Sequence, residues 1–177
     1  MREDKAHIAH QIQESIRSFN ELILSLQADQ FEDSKHGKWS AGQDLAHLVK
    51  TAQIIGYSFI LPKWLFKLLS GNSNRASRSA EDLYKRYSES LSKGGKAPAA
   101  FVPKKVRFSQ RDRLIQQHEA YGNFLIRRLN RIPESNLDRY VMPHPLIGKI
   151  TLREMFCFTY LHSNHHLKTL KEKLEKQ

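Results

Sequence analysis

Residues 151–170, TLREMFCFTYLHSNHHLKTL, decide the fold. Thr151 can cap a helix N-terminus, and Glu154, three positions on, can return the bond, which makes a capping box. Leu152, Met155, Phe156, Thr159, His162, His166 and Leu170 then fall on one stripe with the 3.6-residue period of an amphipathic helix. The spacing predicts a helix running from just after Thr151 almost to the end of the chain. The same stripe carries two histidines four residues apart, one turn above each other on the core-facing side. A buried imidazole without partners costs free energy, so something must satisfy these rings.

Three further stretches upstream share the helical period. Ile8, Ile12, Ile16, Phe19, Ile23 and Leu26 predict helix 1 over about residues 3–27. Ser40 with Gln43 forms a second capping box, and Leu45, Leu48, Ala52, Ile55 and Phe59 carry helix 2 on to Pro62, which cannot continue the hydrogen-bond ladder. Leu114, His118, Tyr121, Leu125 and Leu129 predict helix 3, ending before Pro133. Between helices 2 and 3, residues 64–69 extend or follow helix 2, residues 71–79 (GNSNRASRS) read as a polar, flexible loop, and residues 81–91 as a short helix. Residues 92–103 (SKGGKAPAAFVP) are Gly/Pro punctuation. No stretch shows strand alternation. The expected architecture is all-α, a single four-helix-bundle domain over residues 1–177, with a crossover long enough for helix 3 to run parallel to helix 2.

Composition agrees with a single soluble domain of 177 residues, 40% of them hydrophobic. One cysteine, Cys157, excludes a disulfide framework and a Cys-rich zinc module. It lies off the histidine face and reads as a small core residue. No run approaches the ~20 apolar residues of a membrane span, and the charged N-terminus does not resemble a signal peptide, so the cytoplasm is the expected location. The net charge of +11 arises in the middle of the chain: residues 62–131 carry 16 basic and 5 acidic groups. These basic residues stand singly or in pairs with no interleaved aromatics, unlike a base-stacking platform. They read as a solvated face that attracts anionic small molecules.

Nine histidines are present. His7, His10, His36 and His144 fall near helix starts or in loops and read as surface or capping residues, and His118 reads as a core residue. His165 could also pair with His162, at i, i+3. His47, on the edge of the apolar face of helix 2, can complete a trio with His162 and His166. Three neutral imidazoles around a divalent ion leave a coordination position open, the pattern of a catalytic site. Asp44 reads as an exposed first-turn carboxylate favoured by the helix dipole, a contact to a ligand's outer nitrogen being the alternative. Trp39, just before the Ser40 cap, reads as a structural staple.

Residues 38–48 (KWSAGQDLAHL), together with residues 144–154 (HPLIGKITLRE) and the following HSNHH at 162–166, resemble the two signatures of the DinB-like superfamily. Residues 94–103 (GGKAPAAFVP) are similar to the crossing segment of many members, and the resemblance spans about residues 3–175. It implies an up-down-down-up four-helix bundle with a divalent metal (Zn, Ni, Mn or Fe) held by His47, His162 and His166. It also implies enzymes of the thiol S-transferase type, among others that use bacillithiol or mycothiol. The expected partner is a small molecule, an anionic thiol among the candidates, with no membrane and no specific nucleic acid; a homodimer is allowed. The residues leave open a non-catalytic metal- or small-molecule-binding bundle, and a basic nucleic-acid-binding protein.

Overall fold

The structure, a computed structural model, describes residues 3–34, 38–60 and 71–176. His36 and the 64–69 stretch lie outside them, as does Pro62. Four long helices form the bundle: α1 (Lys5–Ser25), α3 (Ala41–Ser58), α5 (Arg111–Arg131) and α7 (Leu152–Leu174). Short helices α2 (Ala28–Glu32), α4 (Ala80–Ser92) and α6 (Glu134–Arg139) connect them. Helix starts follow local chemistry. Asp4 accepts from the His7 N–H, Ser40 from Gln43 and Thr151 from Glu154, and the two capping boxes expected at Ser40 and Thr151 are both closed.

Contacts between named residues fix the helix directions. Gln53 donates to Tyr121 at 2.6 Å and Arg128 donates to the Phe59 carbonyl, so α3 and α5 run parallel. Asn20 meets His118 while Lys5 reaches the Ile132 carbonyl, so α1 and α5 are antiparallel. Tyr160 and Arg153 both bond Glu3 at the start of α1, and Leu170 packs in one cluster with Ile23 and Leu26, so α1 and α7 are parallel. His47 faces His162 and Asp44 faces His166, so α3 and α7 are antiparallel. The result is the up-down-down-up bundle expected from the sequence. Where α1 and α5 approach closely, Gly122 leaves room for Ile16: a Cβ there would lie 2.1 Å from Ile16 Cδ1, so that side-chain end would have to shift.

Two features depart from the sequence reading. Strands β1 (Val141–His144) and β2 (Gly148–Thr151) form an antiparallel hairpin ahead of α7, with Gly148 at φ +76° in its turn. Four-residue strands, one holding Pro143, are too short to show alternation. The 71–79 loop, read as flexible, is pinned. Arg75 makes two bonds to the Glu154 carboxylate, at 2.6 and 2.8 Å, and the Arg78 N–H adds a third at 2.6 Å. Ser73 N–H donates to the Arg139 carbonyl, and Ser77 bonds Asp138 and Thr151. Glu154 is fully buried, and these bonds hold its carboxyl below the usual carboxylate range against the opposing effect of burial.

The buried polar groups generate two expectations. Glu154→Ala removes the partner of Arg75 and Arg78 and half of the α7 capping box. It should cost about 2–4 kcal/mol, below the limit for a fully buried pair because Arg75 is 29% exposed; chemical denaturation measures this, and a loss under 1 kcal/mol would contradict the clamp. His118 accepts no water-facing role: it is 1% exposed, paired through Nδ1 with Asn20 at 2.8 Å, and burial pushes its pKa down to about 4. The unfolded imidazole titrates near 6.5, so between those values the unfolded state binds more protons and stability falls with falling pH. Replacing it by Gln should flatten that acid limb of the stability–pH curve.

Candidate metal centre

His47 occupies the second turn of α3, and His162 and His166 occupy successive turns of α7. The antiparallel packing of these helices brings the three rings together. His47 Nε2 lies 3.2 Å from His162 Nε2, and His166 Nε2 lies 3.1 Å from the same atom. His47 and His162 are buried, and His166 is 12% exposed at its side chain. These three residues can offer one ligand atom each to a single ion, all within 4.8 Å of one another.

The outer nitrogens set the protonation of the inner ones. His47 Nδ1 is 2.9 Å from the Phe101 carbonyl, and His166 Nδ1 is 2.9 Å from Asp44 Oδ1. Both partners only accept, so both Nδ1 atoms carry the proton and both Nε2 atoms present bare lone pairs. His162 Nε2 can offer at most one proton to the two of them. A cation at the centre resolves the crowding. Metal–imidazole bonds of about 2.0–2.1 Å place neighbouring ligands of a tetrahedral or octahedral ion about 2.9–3.4 Å apart. The observed 3.1–3.2 Å spacings fit. Burial pushes the His47 pKa down to about 4 and His162 well below its ordinary value, so both are neutral at pH 7, as ligation needs.

Several residues sit elsewhere than expected. Asp44, read as exposed, is 8% exposed and orients His166. Phe101, from the one-turn helix Ala99–Phe101, orients His47 through a backbone carbonyl. That contact has no side-chain signature in the sequence. Trp39 is half-buried, but the position four residues into α3 is Asp44, which offers no apolar partner for a staple. Its ring instead lies 4.9 Å from the His47 ring and stacks on His166 at 6.2 Å, shielding both. His165 stays outside the trio and packs edge-on against Tyr87 at 5.4 Å. Cys157 is buried at the other end of α7, bonded to Glu3, with its thiol pushed far up by burial, so it stays protonated.

The triad forms one end of a cavity of about 490 Å³. Ile55, Leu91, Val102, Leu146, Met155 and Phe158 make its apolar walls, contributed by α3, α4, the crossover, the hairpin and α7. Among the described residues that line it, none is a carboxylate or a cysteine. His144, read as a loop or surface residue, also lines this cavity and is 8% exposed.

Comparison with known proteins agrees with this architecture. No curated protein matches the sequence significantly. Among solved structures, the chain is similar to YfiT from Bacillus subtilis, at 19% identity and a TM-score of 0.54, over 99% of this chain and 90% of that one. YfiT is described as "a probable metal-dependent hydrolase with an unusual four-helix bundle topology". At that identity the likeness shows the fold. The family model of the DinB superfamily matches residues 11–170, nearly the whole bundle, and the chain belongs to that superfamily.

Proposed function

We propose that the chain is a divalent-metal enzyme of the thiol S-transferase type, with His47, His162 and His166 as the metal ligands and a small apolar molecule as the acceptor. The observation that carries the reading is the pairing of three converging Nε2 atoms with a cavity whose described lining residues include neither carboxylate nor cysteine. With no cysteine among the described lining residues, a thiol nucleophile would have to enter as a co-substrate. A bound divalent ion would supply the Lewis acidity that takes a coordinating thiol to its thiolate at neutral pH; it would lower the pKa of a bound water in the same way, so turnover with and without a thiol decides between the two.

The chain's own residues do the rest. Phe101 and Asp44 keep His47 and His166 in the tautomer that presents Nε2. Trp39 covers the outer faces of these rings, and Phe158 stacks on His162 at 5.2 Å. This aromatic packing keeps water from the imidazoles and raises the strength of every electrostatic contact there. The apolar walls bind the acceptor by area. Lys96, which lines the cavity, is placed to attract an anionic thiol.

The test uses protein made without a histidine tag. Alanine at His47, His162 or His166 should each lower bound zinc severalfold, alanine at His165 should not, and Asp44→Asn should weaken zinc binding by about 10–100-fold. The zinc-loaded protein should then conjugate glutathione or cysteine to 1-chloro-2,4-dinitrobenzene faster than the His162→Ala variant. Thiol-independent ester hydrolysis would replace this reading with a hydrolase, the activity ascribed to YfiT. Zinc uptake without turnover would leave a binding bundle.

A further inference from the structure

His144 closes strand β1, and its ring turns back over the hairpin. Its Nδ1 accepts the backbone N–H of Leu146 at 3.2 Å and of Ile147 at 3.3 Å. A nitrogen that accepts cannot carry the proton. Burial holds the ring's pKa down at about 4, so at pH 7 it is neutral and its one proton sits on Nε2. No described residue accepts a hydrogen bond from that nitrogen. His144 is 8% exposed, and its ring lies edge-on to Phe158 at 4.2 Å. Phe158 stacks in turn on His162. His144 and the metal-centre imidazoles therefore line one cavity, and Phe158 touches both His144 and His162.

A donor without an acceptor among the described residues, on a cavity lined largely by apolar side chains, can be met by an acceptor that arrives with a ligand. We propose that His144 Nε2–H is the anchoring donor of the cavity, and that its partner is the carbonyl oxygen of a small, apolar, uncharged molecule. The inference rests on the metal-enzyme reading only in taking this molecule to be the acceptor substrate. His144 would hold the carbonyl end while the rest of the molecule lies along Phe158 toward His162. A neutral donor selects a neutral acceptor. It offers a carboxylate too little to offset the loss of hydration in so apolar a wall. The residue is a positioning and specificity residue, and the turn it caps fixes where its donor points.

The experiment separates the cap from the donor. His144→Asn keeps an oxygen near the place of Nδ1, so the turn N–H groups stay capped, but it has nothing at Nε2. His144→Gln reaches the Nε2 position with an N–H and gives up the cap. Acetophenone and ethylbenzene, alike in size, differ in the carbonyl and serve as probes by ligand-observed NMR. Infrared spectra of 13C-labelled acetophenone read the hydrogen bond directly. His144→Asn should weaken acetophenone about 5–10-fold, leave ethylbenzene within about twofold, and abolish the downward shift of the carbonyl stretch. His144→Gln should melt at a lower temperature yet restore part of that shift. An unchanged acetophenone affinity and carbonyl frequency in a folded His144→Asn protein would overturn the proposal. Both series are run on chelator-treated and on zinc-loaded protein. A His144-dependent shift in a chain that takes up no zinc would sink the metal-enzyme reading alone. Zinc uptake with no effect of His144→Asn would sink the donor alone.

Discussion

Three imidazole nitrogens, two of them 3.1–3.2 Å from the third, with two of the rings' protons committed elsewhere, are the constraint on which the remaining structure turns. Left to themselves, lone pairs at that range repel, and the rings would rotate away or the helices would part. They are held by partners on their far sides, the Phe101 carbonyl and the Asp44 carboxylate. Those partners are held in turn by the crossover and by the capped first turn of α3. The arrangement is preorganised for a cation: the bundle bears the cost of bringing the rings together whether or not an ion is bound.

The surrounding architecture is arranged around this demand. The closest helix pairs are α3 with α5 and α1 with α5 and α7, whereas α3 and α7 meet more sparingly, with the histidines at their junction. Among the described residues, the opening beside that junction is walled by α4, the residues near Phe101 and the hairpin. The long connection is therefore working structure. It supplies a second-sphere hydrogen bond and much of the cavity wall, and the Arg75–Glu154 clamp ties its beginning to the N-terminus of α7.

How much of this could be read from residues alone follows from the range of each interaction. Helix stripes and capping boxes are local, and α1, α3, α5 and α7 were legible from Ile12, Leu48, Leu125 and Phe156 and their neighbours in period. The histidine trio was legible because two members share a helix face and the third sits on another apolar edge. Asp44 looked exposed because its partner, His166, is 122 positions away. The 71–79 loop looked flexible for the same reason, since nothing near Arg75 announces Glu154. The hairpin was hidden by its brevity and by Pro143. Phe101 was beyond reach in principle, because the group that acts is a peptide carbonyl, which every residue has.

The 115 positions between His47 and His162 carry a consequence for the newborn chain. During synthesis, α1, α3 and α5 emerge well before α7, and the bundle lacks both its fourth wall and two of the three imidazoles until that last helix is out. α1 pairs with α7 as its parallel neighbour, so the earliest helix waits for the latest, and loop-closure entropy must be met before those contacts form. Ribosome-bound intermediates of this chain therefore carry His47 alone, a single imidazole that holds a divalent ion weakly. Completion of the bundle and assembly of the histidine trio become one late event, in which α7 brings the second and third rings to His47.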